Sequence, residues 1–549
     1  MIRADIVKLY KAVHTWIGIS CGFALFIAFY AGALTMFQEP IARWASPPAV
    51  GVAAVPLEDT PRLLELVAAA HPEAREEGIT LHLRGHENEP ARVTWEEDAP
   101  HQEGQAHKHL HWWATLKSDG TLQAKQEEPS ELAEFINRIH MRVGIPEPWG
   151  SYLMGTVSLL YGVALIAGVI VLLPSLAKDL FALRIGRNLK RMWLDAHNVV
   201  GITALPFHLV MAVTATAWGF GGPLWSAQEI VIFGGRQQIV MKRDFERWTA
   251  PRPSGEAGAM LPPAQLLQRL HAQVPDFEPR VMVFKNFGDK AAAVRFVGAE
   301  RGYVGHTSFG GVMLSAVTGN LIKDNRASRQ DPDRRASTTI FALHTGEYGG
   351  ITITWAYFFL GFSGAWLFYS GNLLWIETRR KKARNGGEVE QSRSTRLLGS
   401  ATVGVCLGCV AGISLTIVAA KWLHGRVADL NHWHELVYYA VFLGSVAWAF
   451  AWGAARSAVH LLWLCAAATM AIPLTTLIAL LFPALGMWAH GSAATIGVDV
   501  VAFIGAFCFA WMTIATTRRI RSGPADSIWS IRKANGRTVS HEAAVIPAE

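Results

Sequence analysis

Residues 192–220 read MWLDAHNVVGITALPFHLVMAVTATAWGF, an apolar run long enough to cross a bilayer as one helix, with His197 at its start and His208 inside it. Ionisable side chains are rare and costly in lipid, so each one in such a run is a functional-site hypothesis. His197 is followed one helical turn later by Gly201, which leaves a small surface where something flat can pack beside the imidazole. The same spacing recurs at His14 and Gly18 in HTWIG and at His140 and Gly144 in HMRVG, and His344 opens HTGEYGG. Four histidines thus stand at or just before the start of four early apolar spans.

The chain has 549 residues, 51% hydrophobic and 17% charged, and the charges are unevenly spread. Eight charge-poor stretches reach about the 20 residues that a helix needs to cross the hydrocarbon core. They run from Ile17 to Phe37, Tyr152 to Leu173, His197 to Phe220, Ile351 to Ile376, Ala401 to Ala420, Leu436 to Phe450, Val459 to Phe482 and Thr495 to Ile514. The sixth is the shortest, ending before Trp452 and Arg456. The first exceeds a signal-peptide core and lacks a clean cleavage site, so it is expected to stay as an anchor.

Basic residues set the expected orientation. KDLFALRIGRNLKR (178–191), TRRKKARNGG with SRSTR beyond, TTRRIRSG, and the N-terminus with Arg3, Lys8 and Lys11 all fall on one side. By the positive-inside rule that side is the cytoplasm, and both termini lie there. The net charge of +7 and pI of 9.1 then reflect topology. No interleaved basic and aromatic surface calls for a nucleic-acid partner. The cysteines, Cys21, Cys406, Cys409, Cys465 and Cys508, all fall in spans, so the exported loops have no disulfide framework. Cys406 and Cys409 form a CxxC inside an apolar helix and read as small buried residues. No CxxCH offers covalent haem attachment.

Between the first and second spans, PRLLELVAAA (61–70) has helical periodicity, ITLHLRG and ARVTWEE alternate as strands, and WATLKSDGTLQAKQE centres a hairpin on Asp-Gly. Between the third and fourth the plan repeats, with PAQLLQRLHAQV as helix, VMVFKNF and AAVRFVG as strands, and VMLSAVTGNLIKD as a hairpin around Thr318, Gly319 and Asn320. Residues 1–175 and 190–378 therefore read as two copies of one unit. The expected organisation is a first transmembrane helix (1–45), a first exported α+β module (46–145), two helices around a basic loop (146–225), a second module (226–343), and a fourth helix (344–378). A basic linker (379–400), four further membrane helices (401–516) and a cytosolic tail (517–549) follow. The fold class is a membrane α-helical protein of about eight transmembrane helices, with two periplasmic α+β modules inserted in a duplicated four-helix core.

The duplicated module resembles PepSY domains, and KAVHTWIGISCGF, INRIHMRVGI, WLDAHNVVGITALPFHLV and FALHTGEYGG resemble the PepSY-associated transmembrane family over residues 5–378. The resemblance implies a bacterial inner-membrane oxidoreductase, a ferric-siderophore reductase with two b-type haems in its four-helix core. Bis-histidine haem needs two imidazoles from different helices and an apolar shell. The topology offers His14 with His197 on the cytosolic side and His140 with His344 on the exported side, one haem near each face. The alternative is that each is an interfacial histidine bonded to backbone or headgroups. His208, 11 residues beyond His197, lies about 16 Å along and about 20° around an unbroken helix, so that helix can also offer ligands to two stacked haems. His208 would then displace His140 or His344. Otherwise it is a buried histidine bonded to a neighbouring helix.

Lys8, Lys11, Arg142 and Arg191 are placed to pair with propionates, or to snorkel. No separate metal site is assigned. His101, His107, His109 and His111 read as exposed loop histidines rather than a docking site, and His424, His432, His434 and His490 fall in exported loops, where NHWHELVYY is a place for a third cofactor or metal. Asp499 is expected at the water interface, and Trp44, Trp149, Trp225 and Trp488 in an aromatic belt.

No GxGxxG or P-loop occurs, and no cytosolic segment is long enough for a flavin or nucleotide domain. Electrons must come from a membrane quinol or a separate cytosolic reductase. Crossing outward is favoured by about 2.3 kcal/mol per electron per 100 mV. One electron delivered to a periplasmic iron(III)-siderophore loosens the metal, because hard oxygen donors hold iron(III) better than iron(II). The siderophore rests on the resemblance alone. Two rivals remain, a membrane-tethered PepSY protein that binds peptides or restrains a protease, and a permease for iron or its chelate. Another periplasmic protein or another metal is a further possible acceptor.

Overall fold

Apolar runs of this length become helices because, in lipid, every backbone N–H and C=O must bond within its own segment. The computed structural model of the protein describes residues 3–48, 55–83, 91–98, 109–127, 130–176, 184, 188–231, 234–235, 249–306, 310–382 and 389–531. The first helices are α1 (Ala4–Thr35), α2 (Gln38–Ala45), α3 (Thr60–Ala70), α4 (Pro72–Glu77), α5 (Leu132–Arg142) and α6 (Trp149–Leu172). Next come α7 (Leu189–Thr203), α8 (Leu205–Gly219), α9 (Gly221–Val231), α10 (Pro263–Gln273) and α11 (Pro332–Thr345). The last four are α12 (Gly350–Arg379), α13 (Arg393–Leu423), α14 (Leu430–Leu481) and α15 (Ala493–Ser522). Among the described residues six of these, α1, α6, α12, α13, α14 and α15, are long and apolar enough to cross a membrane. The chain is a multi-pass membrane protein.

The stretch 192–220 is not one straight helix. It breaks at Ala204, and α7 and α8 meet at a 70° bend. Pro206 lies in the first turn of α8. It has no N–H to return to the Ile202 carbonyl, and its ring crowds that carbonyl. The expected offset between His197 and His208 on a common axis therefore does not hold. The 52-residue α14 holds the sixth and seventh expected spans, Leu436 to Phe450 and Val459 to Phe482, together. At about 1.5 Å per residue it would be more than twice the roughly 30 Å hydrocarbon core. Gly453, at φ 74° and ψ 162°, breaks it. Before the break α14 runs against α13, with Gly412 facing Tyr438, Gly408 facing Phe442 and Ser445, and Gly404 facing Val446. After it the order reverses: Cys465 bonds the Leu407 carbonyl, Ser414 meets Thr469, and Trp422 meets Thr475. The halves of α14 form a helical hairpin along α13.

The early helices make one bundle, in which α1 packs on α6 and α12, α6 on α8, and α12 on α7. A Cβ on Gly219 would sit 2.3 Å from Gly155 Cα, so only glycine permits the close crossing of α6 and α8. The second bundle, α13 to α15, docks on α12 and α2.

The two extramembrane modules are not separate bodies. Strands β1 (Ile79–His82), β2 (Val93–Asp98), β3 (His109–Leu116), β4 (Leu122–Glu127), β5 (Phe277–Lys285), β6 (Ala293–Glu300), β7 (Val312–Ser315) and β8 (Leu321–Asp324) form one antiparallel sheet. Its order, β4-β3-β2-β1-β5-β6-β7-β8, reads alike from either edge. The seam pairs Ile79 with Phe284 and Leu81 with Met282. Helices α3 and α10 cover the sheet through Leu63, Leu64, Val67, Leu266 and Leu270 in a single apolar core.

Candidate functional site

His14 of α1 and His197 of α7 face each other inside the early bundle, with ring centroids 6.2 Å apart and planes at 79°. The Nδ1 of His14 lies 2.8 Å from the Ala164 carbonyl, and that of His197 lies 3.1 Å from Ser370 Oγ. The second pair forms at the sheet end, where His140 of α5 and His344 of α11 have centroids 6.0 Å apart at 43°. Here Nδ1 of His140 bonds the Ala28 carbonyl at 2.7 Å, and Nδ1 of His344 meets Thr214 Oγ1 at 2.7 Å.

These partners decide the tautomers. A carbonyl only accepts, so His14 and His140 must donate through Nδ1–H. The hydroxyls of Ser370 and Thr214 give their protons to the main-chain carbonyls of Leu367 and Val210, and so accept from the imidazoles too. All four neutral rings therefore keep the Nε2 lone pair. Anchoring of one ring nitrogen by a carbonyl or other acceptor is what orients a metal-binding imidazole. An imidazole nitrogen binds a first-row ion such as zinc at about 2.0–2.1 Å and lies about 1 Å from its own ring centre, so an ion held end-on between two rings spaces their centroids roughly 6 Å apart. Among the described residues no three or more of His, Cys, Asp and Glu gather as a metal-binding group. Two imidazoles alone suit an ion that brings its remaining ligands with it.

Glycines seat the rings. A Cβ on Gly32 would lie 2.6 Å from His140 Nδ1, and one on Gly168 3.0 Å from His14 Cε1. The glycine expected to leave space beside His14, Gly18, has no atom within 4 Å of where its Cβ would be, and Gly201 meets only Leu367, at 3.8 Å. Gly144 differs: its Cβ would strike the Tyr439 hydroxyl.

His208 joins neither pair. It is fully buried among Phe29, Tyr161 and Phe207, and neither ring nitrogen has a hydrogen-bond partner among the described residues. The hydrogen bond to a neighbouring helix expected for a structural histidine is thus not made. His434 is likewise buried, with both nitrogens unpartnered among the described residues, and it lies within α14 rather than in a loop. Of the propionate candidates, Arg142 pairs with Glu147 at 3.2 Å and Arg191 with the buried Asp195 at 2.9 Å. Lys8 and Lys11 are exposed. His101 and His107 lie outside the described residues, whereas His109 opens β3 and His111 pairs with Glu96.

Asp499 points inward rather than to water, accepting from Trp44 Nε1 and Thr476 Oγ1, both at 3.0 Å. Trp44 and Trp488 leave the expected belt as well, being buried against Lys421, while Trp149 and Trp225 are exposed.

The His140 and His344 pair lies in the wall of a cavity of about 1070 Å³ between the early bundle and the sheet. Phe29, Tyr161 and Phe207 line its buried end, and Glu39, Arg280, His306 and Glu347 its exposed end. Sequence reasoning found the four paired histidines but neither Arg280 nor the His306–Glu347 contact of 3.2 Å. Arg280 and His306 lie in the module, where nothing in the local sequence marks proximity to the membrane helices, and Glu347 lies in the turn between α11 and α12.

Residues 12–378 match the family described as the PepSY-associated TM region. Among curated proteins, an uncharacterized protein of Pseudomonas aeruginosa is 25% identical over 261 residues, covering 44% of this chain and 61% of that relative. The chain thus spans about three fifths of the length of the curated relative it matches.

Proposed function

The chain belongs to the PepSY-associated transmembrane family, and from that premise we propose that it is a two-haem electron-transfer protein that reduces iron(III)-siderophore. The observation that carries this reading is the pair of facing imidazole pairs, each ring held through Nδ1 and each Nε2 left without a hydrogen bond among the described residues. His14 with His197 and His140 with His344 would each hold one b-type haem, and His208 would hold none. Bound haem supplies a one-electron couple. The chain's own part is to orient the four imidazoles through their Nδ1 hydrogen bonds and to pack the rings of Phe29, Tyr161, Phe207 and Phe368 against one another within the same bundle.

The same reading puts the sheet in the periplasm, the basic loops and both termini in the cytosol, and the chain in the bacterial inner membrane. Counting the bent α7–α8 pair as one crossing and the α14 hairpin as two gives eight crossings, and the palindromic strand order supports a duplicated ancestor. A membrane quinol or a separate reductase would supply electrons on the basic side. The absorption spectrum of the purified protein, oxidised and dithionite-reduced, with a pyridine haemochrome count, tests the proposal. Low-spin b-type bands at two haems per chain are expected. A protein that stays colourless when produced with ample haem would sink the reading and bring the tethered peptide-binding module forward.

A further inference from the structure

We propose that the cavity between the sheet and the early bundle binds an anionic, carboxylate-bearing iron(III) chelate, and that Arg280 selects it; this inference rests on the iron-reductase reading above. Arg280 stands at a β-bulge. Pro279 pairs with Gly298 and Val281 with Val297, so Arg280 has no partner residue on β6, while its carbonyl accepts from Leu83 N on the β1 side. Bulges of this kind re-aim a side chain and recur beside active sites. The two strands approach closely beside the bulge, where a Cβ on Gly298 would lie 2.1 Å from the Glu278 carbonyl oxygen.

The charges around the cavity are unequal in their pairing. Glu147 is held by Arg142 and Glu347 by His306, both at 3.2 Å, and Glu39 also has a partner. Arg280 lines the same cavity, is exposed, and makes no side-chain hydrogen bond or ion pair among the described residues. One guanidinium without a side-chain partner among the described residues, beside carboxylates that each have one, favours an anion. Its planar fork matches a carboxylate in two-point contact, which an ammonium cannot copy. The cavity reaches from Arg280 to His140 and His344, so a chelate held at its exposed end lies close to the sheet-side imidazole pair.

Gallium(III) citrate, which does not take up an electron under these conditions, gives a readout independent of turnover. Calorimetric titration of the full-length protein in nanodiscs should show binding that falls about 10- to 100-fold in Arg280→Gln, the usual range for losing a charge-assisted contact. Arg280→Lys should recover only part of it. Glu347→Gln should tighten binding, because it removes a negative charge from the same cavity, whereas a folding defect would weaken both variants. A cationic trihydroxamate complex of gallium should bind less tightly than the citrate complex and be insensitive to Arg280→Gln. Equal citrate affinity in Arg280→Gln, or tighter binding of the cationic complex, overturns the proposal. Arg280-dependent binding to a protein without haem supports the docking site while the redox reading fails, and haem-replete protein without that dependence overturns the docking site alone.

Discussion

Gly32→Ala separates a ligand seat from general packing. The new methyl carbon would lie 2.6 Å from His140 Nδ1 and 2.7 Å from its Cε1. Ordinary carbon contacts begin near 3.4–3.5 Å, so the ring must retreat by about 0.8 Å. Its hydrogen bond to the Ala28 carbonyl, 2.7 Å long, cannot follow without distortion. A functional site tolerates roughly 0.5 Å of misplacement. The expected loss is the 10- to 100-fold typical of a disturbed outer-shell partner, or about 1.4–2.8 kcal/mol in haem affinity at the His140 and His344 pair. Titration of haem-free protein with haemin should then show one tight and one weakened site, and limiting haem should give about one haem per chain. Gly371→Ala is the control, because its Cβ would meet His197 Cε1 at an ordinary 3.6 Å. Gly168→Ala, at 3.0 Å from His14 Cε1, should be intermediate and act on the other pair. Alanine is the better helix former, so none of these changes should unfold its helix. Two unaltered sites in Gly32→Ala, or equal loss in Gly371→Ala, would refute the reasoning.

Thr214→Val keeps the shape but removes the acceptor for His344 Nδ1–H, so haemin titration should report about a tenfold or greater loss at one site only. Phe284→Ala empties a position 1% exposed at the β1–β5 seam. It should cost about 3–5 kcal/mol, and hydrogen exchange should speed up in β1–β4 as well as β5–β8; loss confined to β5–β8 would contradict a single sheet core. Asp289 accepts from Ser254 N, Ser254 Oγ, Gly255 N and Ala291 N, and these bonds, the backbone one from Ser254 foremost, pull its carboxyl down to about 2. A depressed carboxyl stabilises the fold above its unfolded value of about 3.9 and loses that contribution as pH falls through the folded value. Exchange protection around Ser254 should therefore decline between about pH 4 and pH 2 in the native protein and be flat in Asp289→Asn.

The parts legible in the sequence were those governed by local period and by topology. Helices α3 and α10 and the hairpins at Asp119-Gly120 and Thr318-Gly319 follow from neighbours in the chain. The histidine pairing followed from which helices share an end of the bundle. What was missed needed partners far away. The β1–β5 seam joins residues 79–82 to 281–284, and no local signal chooses that pairing over two separate sheets. The carbonyls of Ala28 and Ala164 fix two tautomers, yet every residue has a carbonyl, so the sequence cannot distinguish these. Pro206 was visible, but apolar length outweighed it. The split of 430–481 into two spans was legible beside Trp452 and Arg456, whereas only the positive φ of Gly453 shows which residue turns the chain.

The role of α2 follows from its two faces. Gln38, Glu39 and Ala42 line the cavity, while Ile41, Arg43 and Trp44 are buried away from it. On that second face Trp44 donates to Asp499, lies under Lys421 at 3.6 Å, and offers its carbonyl to Trp488, and Ser46 just beyond offers its own to His490. A tryptophan ring beneath an ammonium is a strong contact when both are shielded from water. These partners come from α13, from α15 and from the loop before α15. A short eight-residue helix has little stability of its own. One wall of the cavity is thus held in place by the second bundle, which lies outside the matched family region yet fixes the geometry of the space that region encloses.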